Sequence, residues 1–158
     1  MMKKLLTTRS LCMSGIIAAL YAAMTLLLPA ISYGEWQCRL SEAMTVLPLL
    51  MPQSIPGLFV GCIVANLLSP VGIADIVFGS AATLLAAVGT YTLRKWPIPA
   101  CFCPVVANGV IVGWMLAQFY GLPFWLTMLQ VASGEAVAVA IGYMALPALR
   151  RINIEKYI

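Results

Sequence analysis

Histidine is absent from this chain, and charge is scarce: nine Lys or Arg and five Asp or Glu among 158 residues, or 9%. A soluble domain carries about 25% charged residues, so too few remain here to coat a surface that meets water. The lack of His removes the commonest general base and metal ligand. Five cysteines are present, but Cys101 and Cys103 have no second ligand pair and no metal-ligand spacing occurs. Cys12, Cys62, Cys101 and Cys103 therefore read as small buried hydrophobes, with Cys38 in a polar loop beside Arg39. There is no phosphate-binding glycine loop, no activated nucleophile and no nucleic-acid module. The basic clusters are too short for nucleic acid. These absences point away from an enzyme, a metal site or a cofactor and toward non-covalent binding.

What the sequence does have is apolar length: 63% of the residues are hydrophobic. Lipid is the solvent that permits such a surface, and one crossing needs about 20 mostly apolar residues. The continuous apolar runs lack the period-two alternation of a β-barrel. They predict an all-α membrane protein with a single transmembrane domain over 1–158 and six helices, at about 11–28, 41–51, 55–68, 75–93, 102–119 and 124–149. Ser41 fits the cap of the second helix. Pro52 and Pro56 mark the next turn, Pro97 and Pro99 act as breakers, and Pro104 falls in a first turn where its missing donor costs little. No cleavable secretory signal is expected, since Lys3, Lys4 and Arg9 lead straight into an apolar run without a small-residue cleavage site.

Positive charge sets the expected topology. Lys3, Lys4 and Arg9, then Arg94 and Lys95, then Arg150, Arg151 and Lys156 form three clusters, all placed in the cytoplasm by the positive-inside rule. Even numbers of helices fit between them, which leaves Arg39 as the one basic residue outside. The second and third helices, about 18 and 21 Å long at the usual rise, are short for a core of about 30 Å. Short spans bring loops into the membrane, where non-helical backbone must be shielded or line a polar cavity. That favours a bundle with an internal pocket.

A few polar groups stand inside or at the ends of these helices: Glu42, Asn66, Asp75, Asn108 and Glu135, the last with Gln130, Ser133 and Gly134 close by. An ionisable group in a span is costly and normally faces a pocket or a partner. Glu135 is the sharpest case, because no Lys or Arg lies in another predicted span to neutralise it, which calls for a ligand with donors or an altered proton affinity. Asp75 fits a helix cap as well as a ligand contact. Asn66 and Asn108 fit interhelical hydrogen bonding as well as a pocket, and Arg39 could simply pair with Glu35 or Glu42. Tyr33 and Trp36 in the first outer loop, with Tyr120, Phe124 and Trp125 in the last, fit either interface anchors or a lid and wall that stack on a flat heterocycle. Gly15, Ala19 and Ala23, like Ala18 and Ala22, recur every four residues, a spacing that serves close helix packing within the chain or docking of another membrane protein.

The segments Arg39-Leu40-Ser41-Glu42-Ala43, Val46-Leu47-Pro48, Ile55 through Cys62 and Asp75 through Ser80, with Pro123-Phe124-Trp125 and Gly134-Glu135, resemble the QueT family, over nearly the whole chain. The resemblance implies the substrate-binding membrane subunit (S component) of an energy-coupling factor importer for a queuosine precursor. It further implies six helices, both termini cytoplasmic, an outward-facing pocket, and a loop after the first helix that closes over substrate. By the same resemblance, the strip of Ala18 and Ala22, with Gly15 and Ala19, would meet the transmembrane coupling protein, and two ATPase subunits would complete the complex in the bacterial cytoplasmic membrane. The implied substrate is a 7-deazaguanine-type base. Its donor edge suits a carboxylate, its carbonyl suits Asn, Gln or Arg, and its faces suit Trp or Tyr. On this basis the expected substrate-binding residues are Glu135, Glu42, Arg39, Asn108, Trp36, Trp125, Asn66, Asp75, Gln130 and Tyr33, with Glu135 or Glu42 reading the donor edge. An S component for another vitamin or nucleobase, and a structural or assembly subunit, remain as alternatives.

Overall fold

The computed structural model describes residues 7–33 and 39–151. The described residues are helical throughout, with no strand among them. Helix α1 is Thr8–Leu27, capped by the Thr7 hydroxyl, which accepts from the Ser10 amide at 3.3 Å. A helical turn, Pro29–Ser32, follows it. Next comes a ten-residue 3-10 helix, Leu40–Leu49, then α2, Ser54–Asn66. A π-helical turn, Asp75–Gly79, leads into α3, Ser80–Thr92. Helices α4, Pro97–Tyr120, and α5, Phe124–Arg151, complete the chain.

The six apolar runs thus fold as six helical units, with two corrections of local detail. Pro97 and Pro99 open α4 instead of breaking the chain before it, because a proline in the first turn gives up only an amide that would lack a partner anyway. Pro104 then falls in the interior of α4, not in its first turn. The second helix is 3-10 and not α. Ten residues at the 3-10 rise of about 2.0 Å cover about 20 Å, where an α-helix would cover about 15 Å. The tighter winding lets a short segment reach further into the bundle.

Polarity is arranged as lipid demands. Large apolar side chains point outward on every long helix: Leu11, Ile16 and Leu20 on α1, Leu85 and Val88 on α3, Phe102, Val106 and Val110 on α4, Val137, Ile141 and Met144 on α5. Ser10, Ser14, Thr25, Thr45, Thr83, Thr90 and Thr127 are buried, as are Arg39, Glu42, Asp75 and Glu135. Four segments are long and apolar enough to cross a membrane, Thr8–Leu27, Asp75–Thr92, Pro97–Tyr120 and Phe124–Arg151, while Leu40–Leu49 and Ser54–Asn66 are shorter apolar helices. The chain is a multi-pass membrane protein.

The 3-10 helix occupies the centre. It packs against α1, α2, α3, α4 and α5, so its irregular backbone is enclosed by protein. Close approach is what admits it. A Cβ on Gly142 of α5 would stand 2.0 Å from the Ala43 carbonyl oxygen, so the last helix lies directly on the 3-10 backbone. Elsewhere Gly57 and Gly61 of α2 let that helix meet the α1 backbone at Ser14 and Ala18. Helix α4 ends at Gly121, whose φ of 67° is a left-handed conformation that glycine adopts without penalty.

Gly142→Ala is expected to lower the stability of the purified protein by about 1–3 kcal/mol or more through overpacking. Gly15→Ala, with open space around the added carbon, should leave it unchanged or slightly raised. Thermal unfolding of both variants in one detergent checks the contrast, and equal midpoints would contradict the packing described.

A polar cavity at the centre of the bundle

The 3-10 helix turns once every three residues, so Arg39, at its N-cap, and Glu42 stand along one edge. Both face a cavity of about 10 Å³ lined by Arg39, Glu42, Asn108, Val112, Val131 and Glu135. That volume holds about one water and no heterocycle, so the pocket is in a closed form. Asn108 and Val112 come from α4, one turn apart, and Val131 and Glu135 from α5 in the same way. A one-turn spacing puts each polar residue and its valine on the same helix face, giving a cavity polar on one side and apolar on the other.

Arg39 was expected in an outer loop but is 5% exposed. Its guanidinium donates to Asp75 Oδ2 at 2.7 Å and to the Ser32 carbonyl at 3.3 Å. It also lies 5.5 Å from the centre of the Tyr33 ring, within cation–π range. Asp75 is therefore an ion-pair partner instead of a helix cap, and Arg39 is anchored by Asp75 and not by Glu42. Asn66 donates to the Asp75 carbonyl at 2.8 Å, tying α2 to the π turn. The cluster closes over Gly79, where a Cβ would come within 2.8 Å of both Asn66 Nδ2 and Asp75 Oδ1. Tyr33 is half-buried and donates to the Ala65 carbonyl at 2.6 Å.

Glu42 has its own supports. The Tyr21 hydroxyl of α1 donates to Glu42 Oε1. The Thr83 hydroxyl of α3 lies 3.2 Å from the same oxygen, with Cys62 Sγ at 3.4 Å as its other acceptor. Glu42 Oε2, Glu135 Oε1 and Asn108 Nδ2 are buried and have no hydrogen-bond partner. Such atoms are rare in folded proteins and mark places where a ligand or water completes the bonding.

The structure thus brings together four of the ten expected substrate-binding residues around the cavity: Arg39, Glu42, Asn108 and Glu135. Asp75, Asn66 and Tyr33 stand behind Arg39 and hold it. Gln130 and Trp125 do not line the cavity; Trp125 is 69% exposed and packs on Phe124, ring centres 5.1 Å apart. Trp36, like Glu35 and Cys38, lies outside the described residues. Of the expected docking strip, Ala22 is buried and Ala18 faces α2 at Gly61, so the intrachain contact claims that pair, while Gly15 and Ala19 are exposed. Tyr21 and Thr83 were not anticipated. Tyr in a first span and Thr in a fourth look like ordinary packing residues, and only the fold brings them to Glu42.

Two larger clefts differ in kind. One of about 420 Å³ runs between α1, the 3-10 helix and α5, and one of about 290 Å³ lies between α4 and α5. Both are lined almost wholly by apolar atoms and suit lipid chains more than a polar solute.

A bundle with an apolar exterior and a polar cavity enclosed at its centre, its bonding groups unfilled, defines a membrane protein that handles a small polar solute. Residues 11–151 match the QueT transporter family. The chain belongs to that family, and a transporter's small-molecule cargo is what the cavity has to receive. No curated protein and no solved structure matches the chain.

Asp75→Asn leaves Arg39 buried without a counter-charge and is expected to cost about 3–5 kcal/mol. The double replacement Arg39→Met with Asp75→Leu should cost less than Asp75→Asn alone. Unfolding midpoints of the three proteins in detergent test this, and a double variant less stable than D75N would refute the pairing.

Proposed function

We propose that the chain is the substrate-binding membrane subunit of an ATP-driven importer and that its cargo is a queuosine precursor of the 7-deazaguanine type. The observation that carries the reading is the set of three unfilled bonding positions around one cavity: acceptors at Glu42 Oε2 and Glu135 Oε1 and a donor at Asn108 Nδ2. A 7-deazaguanine edge offers two donors, the exocyclic amine and the ring N–H, and one acceptor, the carbonyl. The two sets are complementary, group for group. Hydrogen bonds from the base to ionised carboxylates are the strong kind, and Val112 and Val131 give the ring an apolar surface to lie against.

The cavity must open for a base to enter. On this reading the segment around Arg39, which links the cavity to the outer end of α1 through Ser32 and Tyr33, moves when substrate arrives from outside. Release to the cytoplasm is driven by ATP hydrolysis in two partner subunits, since the sequence has no nucleotide-binding motif. A transmembrane coupling protein transmits that work, and the exposed small residues Gly15 and Ala19 of α1 offer it a surface for close approach. The chain resides in the bacterial cytoplasmic membrane with both termini in the cytoplasm. Arg94 and Lys95 are placed on the same side.

A saturating 7-deazaguanine base, at about 100 times its dissociation constant, should stabilise the detergent-purified protein by about 2.7 kcal/mol, read as a raised unfolding midpoint. Unmodified vitamins of other shapes should give no shift. Glu135→Gln should weaken base binding about tenfold or more, the worth of a hydrogen bond to a charged group. Unchanged affinity in E135Q would reject its role, and no shift with any base would reject the cargo class in favour of a structural subunit.

A further inference from the structure

Glu42 is held from two helices, and both holds meet one oxygen. Tyr21 donates to Oε1, and the Thr83 hydroxyl approaches it to 3.2 Å. The backbone beneath is fixed as well: Thr45 donates to the Glu42 carbonyl at 2.6 Å, and Thr25 donates to the Ser41 hydroxyl at 2.7 Å. A carboxylate oxygen accepts about two hydrogen bonds, so Oε1 is filled by the protein. Oε2 is buried and unpartnered on a residue that lines the cavity. Neither Tyr21, which is 0% exposed, nor Thr83 lines that cavity. Whatever they do for a ligand, they do through Glu42.

We propose that Tyr21 and Thr83 are positioning residues that occupy one oxygen of Glu42 and aim the other at the ligand, so that Glu42 reads a single N–H group. The second N–H is then read by Glu135 from the opposite wall, and the two donors of the base are recognised by separate acids. This rests on the proposed function, and it departs from a fork-like arrangement in which one carboxylate takes both donors. Its consequence is a selectivity rule: deleting either donor from the ligand carries its own penalty, and each penalty belongs to one acid.

The test measures affinity by calorimetry for three probes: a 7-deazaguanine, its analogue without the exocyclic amine, and its analogue methylated at the ring N–H. For the wild-type protein each analogue should bind about tenfold or more weakly than the parent. Tyr21→Phe, Thr83→Val and Glu42→Gln should all shrink the same one of these two penalties, and Glu135→Gln the other. Thr83→Ser keeps the hydroxyl and should retain both penalties. If Y21F and T83V weaken all three probes by the same factor, the two residues only support the fold and the proposal is overturned. It is equally overturned if they shrink the penalty that E135Q shrinks. Failure of the wild-type protein to bind any probe is a different result, which removes the base-pocket reading itself. Unfolding midpoints measured without ligand show that each variant used is folded.

Discussion

Glu42 and Glu135 face one small cavity inside a bundle whose outer surface is apolar. The guanidinium that shares the cavity is already bonded to Asp75 at 2.7 Å. Carboxylates in such surroundings are costly, and a membrane protein keeps them only where they face a partner or a solute. Most other features serve that constraint. Hydroxyl and amide side chains are drawn inward, leucines, isoleucines and valines are pushed outward, and the Arg39–Asp75 pair is enclosed where removing either partner would strand a charge.

The 3-10 helix makes the arrangement geometrically possible. It delivers Arg39 and Glu42 to the cavity along a single edge while staying in contact with all five α-helices. Long 3-10 runs are uncommon because their hydrogen bonds are poorer, so this one needs support from outside. Side chains of other elements supply part of it: the Thr25 and Ser41 hydroxyls are bonded to one another, and Tyr21 holds Glu42. Helix α5 supplies the rest by lying on the Ala43 carbonyl at Gly142. The π turn bearing Asp75 is the second irregular element, and it meets the first at Arg39. The two departures from α geometry are thus joined by one ion pair, next to the cavity.

The number and order of the helices were legible because apolar run length and proline or glycine punctuation are local signals. The acids and Asn108 were legible for a related reason: polar groups stand out in a chain with so few of them. Arg39 was not, since a lone arginine beside polar residues reads as loop, and nothing local reveals that Asp75, 36 residues on, draws it inward. Period three and period 3.6 are indistinguishable over ten apolar residues, so the 3-10 winding left no trace in the pattern. Gln130 and Trp125 were expected near the site because they neighbour Glu135 in sequence. On a helix, five residues amount to a rotation of about 140° away from its face, and ten residues to about 15 Å along the axis. Tyr21 and Thr83 carry no local mark at all, because their importance lies in contacts across 21 and 41 residues.

The central claim is that the unfilled oxygens and amide at the core are the binding surface for the transported solute. An experimentally determined structure of the protein in lipid with a 7-deazaguanine base bound tests it most directly. The account predicts an enlarged central cavity, with the base edge within hydrogen-bond distance of Glu42 Oε2, Glu135 and Asn108 Nδ2 and the Arg39–Asp75 bond retained. A base found in the outer clefts, or a central cavity that stays closed while the base is bound elsewhere, would contradict it.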